Sequence, residues 1–350
     1  MSLLDIHGLS TRLASEAGWV HALDDLSLAI EKGQTFALVG ESGCGKSMTA
    51  LSIARLLPDS GAIVAGRVCL SEGSGSTNST NSTPTDVLRI SETAMRTLRG
   101  KRIAMIFQEP GTSLNPVMTV GDQLTEVICL HTGASKSEAL QQAAHWLERV
   151  GIPEPAKRLQ QYPFEMSGGQ KQRVMIAMAL SVKPDLLIAD EPTTALDVSI
   201  QAQVLDLLKT LQREQGMAML LITHDLAIVK QMADTVGLMY AGQLVEKASV
   251  AEFFAHPRHP YAHALVKSLP SQAQRGQALY ALEGRVPSLV NPKPGCRFEA
   301  RCIHAQDNCG YSTPELLKAS ETHEVRCFYH ADLSFKKPGA DAAQYHSPSP

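Results

Sequence analysis

Gly40-Glu41-Ser42-Gly43-Cys44-Gly45-Lys46-Ser47 places three glycines ahead of a lysine and a hydroxyl, as Gly-x-x-x-x-Gly-Lys-Ser. That spacing suits the curling of backbone N–H groups around phosphate oxygens at the start of a helix, with a single cation added. Glycine lets the backbone approach where a Cβ would clash or forbid the dihedrals. Lys46 is expected to reach the β- and γ-phosphates of a nucleoside triphosphate, and Ser47 to ligate Mg²⁺. Met48 follows directly and is counted with the loop. Cys44 is open to oxidation in principle, but any small residue fits at its position.

Four further residues complete the chemistry that such a loop needs. Leu186-Leu187-Ile188-Ala189-Asp190-Glu191 is an apolar run ending in two acids. A buried strand of this kind delivers carboxylates to the sheet edge where ligands bind. Asp190 is expected to hold Mg²⁺ through water and Glu191 to act as general base on the attacking water. Taken alone, the pair would be an ordinary acidic turn. His224 follows the apolar run Met219–Thr223 and is read as a γ-phosphate sensor that orients Glu191. Gln108, after Ile103–Phe107, can touch Mg²⁺ or the attacking water and report nucleotide state to a partner.

A second anion site is written into Ser167-Gly168-Gly169-Gln170 at a helix start. One chain cannot easily wrap both sites around the same phosphate. Two chains packed head to tail can, each γ-phosphate then lying between one Lys46 loop and the other chain's Ser167 segment. Asp197 would line that seam.

The elements that must hold these residues are legible as patterns. Leu3–Leu13 and Ala22–Ile30 alternate like strands with one wet face. Thr35–Val39 reads as a buried strand and Ser47–Leu57 as a helix stopping before Pro58. Ser91–Arg99, Thr119–Gly151 (broken near Gly133), Ser167–Ser181, Val198–Gln215 and the segment from Leu226 read as helices. Arg102–Phe107, Asp185–Ala189 and Ala218–Thr223 read as strands, and Thr235–Ala248 as a hairpin around Ala241-Gly242. Strand and helix alternate over 34–235, which implies a mostly parallel α/β sheet with a helical insertion. Ser71–Thr85 is low-complexity and is expected to be a mobile loop between two β-segments; its Asn78 and Asn81 triplets are coincidental glycosylation matches. Beyond Ser249 the pattern becomes irregular. The expected units are 1–255, an accessory domain over 256–333 and a disordered tail over 334–350.

With 350 residues and 44% hydrophobic content the chain can fill one large domain and a smaller one. Its net charge of -3 gives no reason to expect nucleic acid. No run approaches the roughly 18 apolar residues of a membrane span, and the N-terminus lacks signal-peptide character. The expectation is a soluble chain on the cytoplasmic side, reaching any membrane through other subunits.

The motif set resembles the ATP-binding cassette ATPases over roughly residues 3–250, with Met166 where that family usually has leucine. The resemblance implies a phosphate-loop ATPase with a mostly parallel core sheet, an antiparallel β subdomain and a helical subdomain. The family's adenine-stacking aromatic aligns with Val20, beside Trp19. Phe107-Gln-Glu-Pro110, Ser113-Leu-Asn-Pro116, His259-Pro-Tyr-Ala-His-Ala-Leu265 and the segment around Pro294-Gly-Cys-Arg-Phe are similar to the ATPase subunits of dipeptide and oligopeptide importers. Such a subunit hydrolyses ATP to power peptide import. It works at the cytoplasmic face of the membrane beneath two permeases, beside a second, often non-identical ATPase, with an extracytoplasmic binding protein delivering the peptide. Nickel and antimicrobial-peptide systems share this ATPase type. A soluble cassette ATPase acting on ribosomes or DNA is the other class considered; those chains usually carry two cassettes or a long coiled coil, absent from this pattern.

Seven cysteines occur. Cys44, Cys69 and Cys129 are scattered and read as small apolar fillers. Cys296, Cys302, Cys309 and Cys327 form C-x5-C-x6-C-x17-C. Four close cysteines in a reducing compartment suggest metal rather than disulfides. Spacing alone leaves zinc and an iron–sulfur cluster open; the resemblance to peptide-importer ATPases implies [4Fe–4S], as a structural clamp on a domain too small to fold on apolar burial alone. His304 and His323 are expected at the surface.

Overall fold

Neighbouring residues of the central strands enter different cores. Leu187, Ala189, Met219 and Leu221 join one buried cluster; Leu186, Ile188, Leu220 and Ile222 join another. Successive strand side chains point to opposite faces, so an unbroken apolar run means burial on both. The computed structural model describes residues 2–71, 83–194, 196–269 and 282–331. The low-complexity part of Ser71–Thr85, with Asn78 and Asn81, and the 334–350 tail lie outside the described residues.

In chain order the elements are β1 Ser2–Ser15, β2 Gly18–Glu31, β3 Thr35–Val39, α1 Lys46–Ala54, β4 Gly61–Leu70, β5 Thr85–Asp86, α2 Glu92–Leu98, β6 Ile103–Ile106, α3 Pro110–Ser113, α4 Val120–Thr132, α5 Lys136–Arg149 and α6 Pro155–Arg158. There follow α7 Gly168–Leu180, β7 Leu186–Asp190, α8 Val198–Gln215, β8 Ala218–Thr223, α9 Leu226–Met232, β9 Thr235–Tyr240, β10 Gln243–Ser249, α10 Val250–Ala255, α11 Pro260–Lys267, β11 Leu317–Lys318 and β12 His323–Val325. Two sheets result, in the orders β2-β1-β4-β5 and β11-β12-β10-β9-β3-β8-β7-β6. Strands β9, β3, β8, β7 and β6 run parallel; β10, β12 and β11 extend that sheet antiparallel. The other sheet is antiparallel throughout.

The smaller sheet shares a core with one face of the large one, through Leu4, Ile6, Leu28, Phe36 and Leu38 among others. Helices α4, α5, α7 and α8 cover part of the opposite face. A third cluster joins Ala37, Val39, Tyr240 and Val245 to Phe253, Tyr261 and Phe298. It therefore spans residues on both sides of position 255, and β12 pairs directly with β10.

Several helix ends follow from local chemistry. Ser135 and Glu138 form a reciprocal capping box at the start of α5, which satisfies two orphan N–H groups. Gly133 ends α4 in the left-handed conformation, which accounts for the break expected there. Helix α1 stops at Ala54, earlier than Leu57, because Arg55 takes φ 51° and its N–H turns back to Leu51 and Ser52. One expectation is overturned: His323 is 1% exposed, because β12 adds to the sheet edge and its Nε2 meets Glu246 Oε1 at 2.8 Å.

Candidate nucleotide site

The loop Gly40–Ser47 joins the C-terminal end of β3 to α1. Gly40 has φ 155°, and a Cβ there would lie 2.3 Å from Met239 O and 2.6 Å from Cys44 Sγ. At Gly45, with φ 106°, a Cβ would meet Ala22 O at 2.4 Å. Both positions need glycine on steric grounds as well as dihedral ones. Lys46 is 5% exposed, its Nζ donating to Gly40 O (2.8 Å) and Glu41 O (3.1 Å). The ammonium therefore lies inside the curl of the loop. Burial, the largest cause, raises the Cys44 thiol above its ordinary value despite Lys46, so it stays protonated and apolar. Met48 is half-buried against the core below.

Strand β7 ends beside this loop. Ser47 Oγ donates to Asp190 Oδ1 at 3.2 Å. Burial raises the Asp190 carboxyl, the Ser47 hydrogen bond lowers it, and the Glu191 charge raises it again, leaving it above its ordinary value. A divalent cation would relieve that cost. Glu191 takes φ 45°, a conformation a non-glycine residue holds at some strain. Its Oε2 accepts from Thr194 Oγ1 at 2.8 Å and Gln108 Nε2 at 3.3 Å, and its Oε1 lies 3.2 Å from His224 Nδ1. Burial raises its carboxyl, but the hydrogen bonds from Thr194 and His224 outweigh that and hold it below its ordinary value. A carboxylate kept ionised in this way can accept a proton from water.

Lys46, Ser47, Gln108, Asp190, Glu191 and His224 thus gather at the C-terminal ends of parallel strands β3, β6, β7 and β8. Three residues joined to this site carry no local sequence signal of it. Thr194 holds Glu191 from three positions on, and Tyr261 and Arg301 contact Glu41 from far along the chain. Val20 forms a bridge with Val290, and Trp19 is half-exposed.

The segment Ser167–Gln170 stands on the helical layer. Ser167 Oγ accepts from Gln170 N (3.3 Å), and Gln170 Oε1 accepts from Ser167 N (3.0 Å), a reciprocal cap that opens α7. Gly168 at the same end is exposed. A Cβ on Gly169 would meet Ile200 Cγ2 at 3.0 Å. Asp197 caps α8, accepting from Ile200 N at 2.9 Å.

The four C-terminal cysteines line one cavity together with His259, Phe298 and His304. Burial pushes the Cys296 and Cys302 thiols up to about 11 and raises Cys327, with the neighbouring thiols adding to it. Among the described residues, no three His, Cys, Asp or Glu side chains form a group that could hold a single metal ion.

The chain is similar to known proteins along most of its length. Residues 23–194 match the family described as ABC transporter, and 245–309 the oligopeptide/dipeptide transporter C-terminal region. A Brucella abortus protein named for peptide import and ATP binding is 48% identical over 339 residues, covering 95% of this chain and 98% of its own length. The dipeptide transport ATP-binding protein DppD of Escherichia coli is 44% identical over 332 residues, covering 95% of this chain and 98% of that protein. The ATP-binding cassette MJ0796, solved as a dimer in a post-hydrolysis state with ADP and Pi, gives a TM-score of 0.60 at 24% identity. That likeness covers 71% of this chain and 98% of the other, and is one of fold. Fold and site define an ATP-binding cassette ATPase. The chain belongs to the ABC transporter family, and within it to the ATP-binding subunits of the oligopeptide and dipeptide transporters.

Proposed function

We propose that this chain powers import of di- or oligopeptides across the cytoplasmic membrane, working at its cytoplasmic face with two permeases and a second ATPase subunit. An extracytoplasmic binding protein delivers the peptide. The observation that carries the catalytic part is the Glu191 carboxylate, gripped by Thr194 and Gln108 and set 3.2 Å from His224. The match of 245–309 to the oligopeptide/dipeptide transporter C-terminal region supports the substrate class.

In this reading the backbone of Gly40–Ser47, with Lys46, binds the triphosphate. Ser47, Gln108 and Asp190 would hold Mg²⁺, Asp190 through water, and the ion would supply positive charge against the phosphates. Glu191 takes the proton of the attacking water, and His224 orients Glu191 and touches the γ-phosphate. Ser167, Gly168, Gly169 and Gln170 of the second ATPase close over the phosphate, with Asp197 along the seam. Ser167 and Gly168 are exposed at the start of α7, which supports a role across an interface. Gln108 passes the nucleotide state to a permease.

Residues 256–333 form, in this reading, an accessory unit on the 1–255 nucleotide-binding domain. Four thiols around one cavity fit the donor chemistry of a [4Fe–4S] cluster. Zinc on the same four thiolates is the alternative. The cluster would supply a covalent clamp. Because Cys296 and Cys302 are held as thiols, loading must displace protons.

The test has two arms. Uptake of a labelled dipeptide is measured in cells lacking the chromosomal copy and carrying wild type or Glu191→Gln. Restoration by wild type and loss with the variant are expected; peptide uptake indifferent to both would overturn the substrate class. Anaerobic purification with iron, sulfide and zinc analysis checks the cysteine site. Iron and sulfide in about equal amounts support the cluster, and zinc alone removes it.

A further inference from the structure

Glu41, the second residue of the phosphate loop, has every polar group engaged. Its carbonyl accepts from Lys46 Nζ at 3.1 Å. Its N–H donates to Tyr261 Oη at 3.2 Å. Its carboxylate accepts from Arg301 Nη1, at 3.0 Å to Oε1 and 3.1 Å to Oε2. Two of these three anchors come from beyond residue 255.

Arg301 is built to be rigid. Its side chain is 6% exposed. Nη1 also donates to Tyr240 Oη at 3.2 Å, and Nε donates to Glu283 O at 2.9 Å. Arg301 directly precedes Cys302. The Tyr261 ring meets Tyr240 edge-on at 4.9 Å and Phe298 at 5.4 Å, and Phe298 lines the four-cysteine cavity. The local fold around the cysteines therefore sets where both anchors stand.

We propose that Arg301 and Tyr261 are positioning residues for ATP: they hold Glu41, and with it the phosphate loop, in the binding conformation, and make nucleotide affinity depend on the cysteine-rich segment. The proposal rests on reading Gly40–Ser47 as the ATP site. Its physical basis is charge as well as geometry. Glu41 places a carboxylate on the loop that must receive a polyanion, and Arg301 offsets that charge through hydrogen bonds to both oxygens. Tyr261 fixes the backbone of the same residue, so less ordering is left to be done on binding.

The test is the dissociation constant of Mg-ATP for the full chain, with melting temperature recorded alongside. Wild type must bind; if it does not, the ATP-site reading fails and Arg301 is not the cause. Arg301→Met should weaken ATP roughly tenfold, more steeply at low salt, and raise KM for ATP more than it lowers kcat. The double variant Glu41→Gln/Arg301→Met should recover most of that loss, because the uncompensated charge is gone. Tyr261→Phe, which keeps the ring, should weaken ATP by a smaller factor. If Arg301→Met fails to fold, Arg301→Lys serves, with an intermediate affinity expected. Wild-type affinity in the Arg301 variant, or equal loss in the single and double variants, overturns the proposal, since a purely structural arginine would give the latter.

Discussion

His224 Nδ1 lies 3.2 Å from Glu191 Oε1, although the two residues leave different strands of the sheet. The histidine side chain is 60% exposed and the glutamate 14%. The pair thus sets a shielded carboxylate against an exposed imidazole ring.

Glu191→Gln keeps the shape of the side chain but removes the carboxylate proposed as the base. ATPase turnover should fall by about a hundredfold or more, with ATP still bound at close to wild-type affinity. Phosphate release under saturating Mg-ATP, compared with equilibrium nucleotide binding, separates the two effects. Equal loss of binding and turnover would make Glu191 a ligand rather than a base.

Gly40→Ala tests the loop sterically. The new Cβ would sit 2.3 Å from Met239 O, a backbone atom that cannot swing aside. The phosphate loop should distort, with ATP affinity lost and stability reduced by about 1–3 kcal/mol. Calorimetry and denaturant melts read both.

Glu246 is fully buried and accepts from the N–H groups of Arg258 and His259, at 3.0 and 2.5 Å, with His323 Nε2 at 2.8 Å. One carboxylate thus pins the start of α11 and the strand β12 to the sheet. Glu246→Ala strands three polar groups in the interior and should cost about 3 kcal/mol or more. Urea unfolding followed by circular dichroism measures it. The C-terminal segment should become protease-sensitive first.

Stability should fall on mild acidification. Burial lowers His259 to about 3 and also lowers His131 and His304. In His21 burial leads, and the Arg12 charge adds to it. In each case the unfolded chain takes up a proton that the folded chain refuses. The stabilisation is therefore present above about pH 6.5 and is lost as pH falls through that value toward the folded one. His259 alone contributes a slope of up to about 1.4 kcal/mol per pH unit in that window. Glu92, Glu138 and Glu252 are lowered by hydrogen bonds, first from Arg99, Ser135 and Thr322 respectively. They act only below the ordinary carboxylate range. Urea midpoints at pH 7.5, 6.5 and 5.5 should decline stepwise; a flat profile would mean these histidines protonate in the folded state.

The sequence by itself determined the phosphate loop, the acidic strand end, the histidine and glutamine after their strands, and the positions of the central strands and longer helices. These rest on local rules: glycine where backbone must approach a ligand, strand alternation, and caps next to the helices they open. Thr35–Val39, Val198–Gln215 and Ala218–Thr223 are fixed this way and stand as read. What tertiary structure alone decided is which distant residues meet. Glu41 and Arg301 are 260 positions apart, and Gln108 and Glu191 are 83. Nothing in the neighbourhood of His323 marks it for burial; only the pairing of a three-residue strand with β10 does so. Such contacts depend on how layers stack, and side-chain periodicity reports which face is buried but not what buries it.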